Sequence, residues 1–148
     1  MDALELQRHH AAAQIGIDRA EGVDALYRDY ILDHYKNPRN FGELQPHDLE
    51  AHDHNPLCGD ELGVHIVVED GRVKDLRFHG QGCAISQASA SIASEELIGM
   101  QADAVAALGA DWVIDLLGIE ISPTRRKCAL LSLKVMRGAV TGDASWPE

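Results

Sequence analysis

The 148-residue chain reads as α+β: a small antiparallel sheet of about three strands packed by helices. Three observations predict it. A helix-spaced segment comes first, two alternating segments then meet at Asp70-Gly71, and only helix-spaced segments follow. The strands are thus grouped rather than interleaved with helices, which argues against a parallel βαβ sheet.

Residues 1–22 are expected to be an N-terminal extension. Its apolar residues Leu4, Leu6, Ile15 and Ile17 are thinly spread, and Gly16 and Gly22 interrupt it. His9 and His10 are read as solvated. In residues 23–37, Val23, Leu26, Tyr27, Tyr30, Ile31 and His34 recur at helical spacing, and Asn37-Pro38 ends the helix because the residue before proline avoids the helical region. Residues 38–57 form a long polar loop with His47, His52 and His54, and a third strand is expected inside it, since a lone hairpin is rarely stable. The strands GVHIVVE (63–69) and RVKDLRFHG (72–80) flank the Asp70-Gly71 turn, a strong hairpin signal. Val64, Ile66 and Val68 share one face, and Val73, Leu76 and Phe78 nearly do. A helix is predicted from Ile85 to about Gly99, and one or two more from Ala102 to about Leu117, broken near Gly109. Ser122 as N-cap and Pro123 as first helical residue open a last helix to about Val140. The core domain is residues 23–141, and 142–148 is a tail.

Formal net charge is −11, from 24 acids against 13 bases. Such a surface repels nucleic acid and anionic membrane, so neither is an expected partner. No apolar run reaches the roughly 20 residues of a membrane span. The N-terminus carries acids from Asp2 and lacks the apolar stretch of a secretory signal. The expected compartment is the cytoplasm. Three cysteines there, an odd number, point to metal binding or a reactive thiol rather than a disulfide framework.

Each cysteine has a telling setting. In NPLCGDE, Cys58 and Asp60 are two apart with Gly59 between them, a spacing that lets a thiolate and a carboxylate chelate one metal. In GQGCAIS, Cys83 follows two glycines and precedes a helix, near the positive end of its dipole. In SPTRRKCALL, Cys128 follows Arg125, Arg126 and Lys127 about one turn into the last helix, where dipole and cations favour the thiolate. Inert core cysteines would instead sit mid-face among apolar residues. Ala84, Ser86, Ala88, Ser89, Ala90 and Ser91 suit either tight helix packing or clearance for a metal site. Cys58, Asp60, Cys83 and Cys128 together form a four-ligand set, and soft thiolates select zinc or iron–sulfur species. The carboxylate, a harder and weaker ligand, suits a site that binds and then releases. His34 and His65 are read as satisfied or solvated, while His79 and Lys127 are candidates for tuning the thiolates.

The segments LYRDYILDHYKNPRNFG, NPLCGD, GQGCAISQASAS and RRKCALL closely resemble the U-type iron–sulfur cluster assembly scaffolds (IscU, SufU and the NifU N-terminal domain). The resemblance implies that Cys58, Asp60, Cys83 and Cys128 hold a transient [2Fe–2S] cluster or Zn²⁺. It further implies a cysteine desulfurase and apo iron–sulfur acceptor proteins as partners, with a homodimer or higher oligomer in the cluster-loaded state. Cys58 would be the persulfide acceptor of a SufU-like sulfurtransferase. The motifs around Cys83 and Cys128 look like SufU, with Lys127 where IscU-type members carry histidine. The 44 residues between Cys83 and Cys128 are closer to IscU. IEISPTRRK retains only Pro123 of the IscU-type chaperone-docking motif. A plain structural zinc domain is the non-catalytic reading.

Overall fold

Asp70 and Gly71 both take positive φ, 54° and 76°, as a two-residue hairpin turn requires. They join β2 (Asp60–Glu69) to β3 (Arg72–Gln81). The predicted third strand, β1 (Leu49–Asn55), pairs with the other edge of β2, giving an antiparallel sheet in the order β1-β2-β3. This computed structural model describes residues 19–57 and 59–148, with side chains from residue 25 onward. Leu4, Leu6, His9, His10, Ile15, Ile17 and Cys58 lie outside the described residues.

The described helices are α1 (Arg19–Lys36), α2 (Ala84–Leu97), α3 (Ala102–Ala106), α4 (Ala110–Leu117) and α5 (Arg126–Thr141). Helix α1 begins four residues before the predicted start, so the end of the predicted extension is helical. The predicted break near Gly109 separates α3 from α4, with Gly109 as the N-cap of α4. The expected start of the last helix is corrected. Ser122 and Pro123 do not open it; Ser122 O accepts a hydrogen bond from Arg125 N–H at 2.9 Å in a single turn, and Arg125 is the N-cap. Cys128 is therefore the third helical residue of α5, closer to the positive helix end than the sequence suggested.

One sheet face builds the main core. Leu62, Val64, Ile66, Val73, Leu76 and Phe78 pack with Ala90, Ala93 and Leu97 of α2 and Leu131, Val135 and Met136 of α5. Val73 and Leu76 share this face although three apart, because Val68 pairs with Val73 while Val67 pairs with Asp75. Lys74 is thus the extra residue of a β-bulge, which restores the alternation. The helix-spaced Tyr27 and Tyr30 are taken up inside the chain. Tyr30 is buried with Ile31, Ala88, Ile92, Leu117 and Ala129, and Tyr27 packs against that cluster.

The small residues of α2 are explained by close packing. Ser86, Ser89, Ser91 and Ser94 are fully buried, and each hydroxyl has a partner. Ser89 Oγ donates to Ala129 O at 2.8 Å and meets Ser132 Oγ at 2.6 Å. Ser91 Oγ accepts from Arg39 N–H at 2.9 Å and lies 2.7 Å from His34 Nδ1. Larger side chains would hold α5 and the 37–40 turn away and leave these polar groups buried without partners. The 142–148 tail folds back: Trp146 packs at the core edge, with Lys127 Nζ and Lys134 Nζ at 5.2 and 5.1 Å from its ring centroid.

Lys134 is buried and pairs with Asp53 of β1. Burial pushes the Asp53 carboxyl up, but hydrogen bonds from Lys134 and the His54 N–H outweigh it and hold the carboxyl below its ordinary 3.8. A depressed folded-state value means that this stabilisation is full above about pH 3.8 and is lost as pH falls through the folded-state value. Lys134→Met is expected to cost about 2 kcal/mol at neutral pH, because it strands a half-buried carboxylate. Chemical denaturation across pH should show the difference from wild type shrinking below about pH 4; a constant difference would place the loss in packing alone.

Candidate metal centre

Asn55 and Asp60 are paired across β1 and β2 at the end of the sheet, and residues 56–59 link them. Both lie on the core face, in alternation with Leu62. At the same end, β3 runs through Gly80 and Gly82 into Cys83, the N-cap of α2. Helix α5 begins beside them and brings in Cys128. Two helix N-termini therefore converge on one strand end, and their dipoles favour anionic ligands there.

The convergence is tight. Asp60 Oδ1 accepts a hydrogen bond from Cys83 N–H at 2.8 Å, and Asp60 Oδ2 lies 3.8 Å from Cys83 Sγ. One ligand atom each from Asp60, Cys83 and Cys128 lies within 4.8 Å of the others. Asp60 and Cys128 are buried, at 1% and 2% exposure, and Cys83 is half-buried. A cleft lined by Asp60, Gly82, Cys83, Thr124, Arg125 and Cys128 opens the site to solvent. Tetrahedral zinc, with bonds of about 2.0–2.3 Å, sets neighbouring donor atoms roughly 3.5–3.8 Å apart, so these donors fit a thiophilic metal with little movement. Cys58, the fourth sequence-predicted ligand, lies outside the described residues.

The clearance comes from glycine. A Cβ on Gly82 would stand 2.5 Å from Asp60 Oδ1 and 2.6 Å from Ser86 Oγ. Ser86 and Gly82 are expected near the site as small residues around Cys83, and Asn55 is not. Asn55 Nδ2 donates to Cys128 Sγ at 3.7 Å, Ser86 Oγ lies 3.9 Å from Cys83 Sγ, and Gly82 leaves room for the carboxylate. Only strand register would have revealed Asn55.

The two suggested tuning residues are elsewhere. His79 alternates with core-facing Phe78, so it lies on the sheet face opposite Asp60. Its ring packs over Gly63, where a Cβ would meet Nε2 at 2.4 Å, and stands edge-on to His65 at 5.2 Å. Lys127 is exposed and directs its ammonium to Trp146. His34 is a satisfied core histidine through Ser91.

Outside the cysteine cluster, His47, Glu50 and His65 also bring ligand atoms together. Their geometry disfavours a metal. The His47 and His65 rings stack at 3.9 Å and 10°, so their in-plane lone pairs do not converge. Leu44 locks both rings: its carbonyl accepts from His47 Nδ1 at 2.7 Å, and its N–H donates to His65 Nδ1 at 3.1 Å. The Nδ1 lone pair of His65 is thus taken by a backbone donor, and its Nε2 lies 3.8 Å from a Glu50 carboxylate oxygen.

Residues 26–143 match the family described as the NifU-like N terminal domain. The zinc-dependent sulfurtransferase SufU of Bacillus subtilis is 35% identical over 138 residues, covering 82% of this chain and 93% of that protein. The iron–sulfur cluster assembly scaffold protein IscU of Thermotoga maritima is 35% identical over 132 residues, covering 78% of this chain and 92% of that one. Among solved structures, an iron–sulfur cluster assembly scaffold protein for the SUF system from Fervidobacterium islandicum AW-1 superposes with a TM-score of 0.68 at 26% identity, over 76% of this chain and 95% of that one.

Proposed function

Because the chain belongs to the NifU-like N-terminal domain family, we propose that it is an iron–sulfur cluster assembly scaffold. In this reading Cys58, Asp60, Cys83 and Cys128 receive iron and persulfide-derived sulfur, which an external two-electron donor reduces to sulfide, assemble a transient [2Fe–2S] cluster, and release it to apo acceptor proteins. The observation that carries the reading is the convergence of Asp60, Cys83 and Cys128 at two helix N-termini within 4.8 Å. The working unit is residues 23–141, and the sulfur donor is a cysteine desulfurase. The expected compartment is the cytoplasm; no described helix is long and apolar enough to cross a membrane.

Roles follow from chemistry. The thiolates of Cys83 and Cys128 are the strong, soft donors. Asp60 is the harder, weaker donor, and its carboxylate has an alternative partner in the Cys83 N–H at 2.8 Å. A ligand that can fall back on a backbone donor suits cargo that must leave. Asp60→Ala is expected to change the lifetime of a reconstituted cluster several-fold during chelator challenge, at about 1 kcal/mol of stability from the lost N–H acceptor. An unchanged lifetime would remove Asp60 from the release step.

The 35% identity to a zinc-dependent sulfurtransferase, with lysine at 127, favours a second reading. There Asp60, Cys83 and Cys128 would hold zinc, which would supply a Lewis acid that favours the thiolates. Cys58 Sγ attacks the outer sulfur of a desulfurase cysteine persulfide; the donor's S–S bond breaks, the donor thiolate leaves, and Cys58 carries the persulfide. Anaerobic purification with metal and acid-labile sulfide analysis separates the two. Iron and sulfide in equal amounts with visible charge-transfer bands support the scaffold. One zinc per chain, no colour, and one added sulfur mass on Cys58 after incubation with desulfurase and cysteine support the relay.

A further inference from the structure

We infer that Asn55 is a positioning residue of the metal centre, tying the Cys58-bearing link to the sulfur of Cys128. The inference rests on the ligand set proposed above. Asn55 is 1% exposed, so its amide works where a hydrogen bond is little weakened by water. Its orientation is fixed by a backbone donor: Leu57 N–H reaches Oδ1 at 3.2 Å. The amide nitrogen must then face the other way, and there Nδ2 donates to Cys128 Sγ at 3.7 Å. The backbone carbonyl of Asn55 accepts from Gly59 N–H at 2.9 Å. One residue thus holds a backbone group on each side of position 58 and a ligand on a helix 73 residues away in sequence.

Two consequences follow. An N–H donor lowers the energy of sulfur lone pairs, so it sets how strongly Cys128 donates to a bound metal. The Oδ1 bond shapes the start of the link, so it sets where the link approaches that metal. Neither task needs Asn55 to bind metal itself. Asparagine does both because it is the short side chain with a donor and an acceptor on one planar group; aspartate keeps only the acceptor, and alanine neither.

The test uses Asn55→Asp and Asn55→Ala in the full chain with Co²⁺ as probe. Asn55→Asp retains the acceptor for Leu57 and replaces the sulfur donor by a negative charge. It is expected to move the thiolate-to-cobalt charge-transfer bands to lower energy, because the sulfur loses the donor that lowers its lone pairs. Wild-type band positions in this variant would overturn the sulfur role. In metal-free protein, deuterium exchange at the Leu57 amide is expected to speed up in Asn55→Ala and not in Asn55→Asp. Equal exchange in both would overturn the role in holding the link. Absence of thiolate bands in wild type would instead count against the proposed ligand set and, with it, the sulfur role, while the exchange measurement still decides the other half.

Discussion

Cys128→Ser is expected to weaken Zn²⁺ or Co²⁺ binding on the order of 100-fold or more while leaving the fold in place. Four-ligand zinc sites bind with apparent free energies of about 10–16 kcal/mol, so each ligand accounts for roughly 3 kcal/mol, which is more than a hundredfold in affinity. A serine hydroxyl stays protonated at neutral pH and is a poor match for a thiophilic metal. It nonetheless fills the buried position and accepts the Asn55 amide hydrogen, so stability should change by only about 1 kcal/mol. None of Asp60, Cys83 and Cys128 belongs to the three hydrophobic clusters. This argues against the structural-zinc reading: metal-free wild type should stay folded. Chelator-competition titration and thermal denaturation of both proteins, with and without metal, check the two halves. Affinity within a few-fold of wild type would remove Cys128 from the ligand set; unfolding of wild type on metal removal would revive the structural-zinc reading.

The parts of the fold that were legible in the sequence are those set by local chemistry. Asp70-Gly71 announces a hairpin because both residues accept positive φ, and Asn37-Pro38 announces a helix end because proline constrains its neighbour. Cys83 and Asp60 were recoverable because a helix start and a CxD spacing are short-range patterns; their meeting at 2.8 Å through the Cys83 N–H was not. What escaped depends on register or on distant packing. The bulge at Lys74 explains why Val73 joins Leu76 on the core face, yet no local signal marks it. Ser122-Pro123 is a sound helix-start pattern, but here the chain closes a single turn first and starts α5 at Arg126. Lys127 looked like a neighbour of the site because it precedes Cys128; consecutive helical residues point about 100° apart, and Trp146 takes its charge. Asn55 reaches Cys128 only because β1 pairs in a register that sets it opposite Asp60.

The two glycines before Cys83 should fail differently when replaced, and that difference separates scaffold from site. Gly80 has φ +139°, and a Cβ there would stand 2.2 Å from the carbonyl oxygen of Glu61. Both atoms belong to paired strands, so neither can yield without breaking the β2–β3 ladder. Gly80→Ala is expected to cost about 3 kcal/mol or more, combining a backbone conformation that alanine resists with a backbone clash. Gly82 has no such φ; its Cβ would meet the Asp60 carboxylate and the Ser86 hydroxyl, which are side chains able to turn away. Gly82→Ala should therefore cost only about 1 kcal/mol, yet weaken metal binding roughly tenfold or more by displacing Asp60. Chemical denaturation and metal titration of both variants give a two-by-two comparison. If Gly82→Ala binds metal like wild type, the carboxylate reaches the metal from a different direction than the Cys83 N–H contact implies. If it loses stability as Gly80→Ala does, Asp60 acts chiefly as the polar anchor of the α2 N-terminus, and release would have to be explained by the cysteines alone.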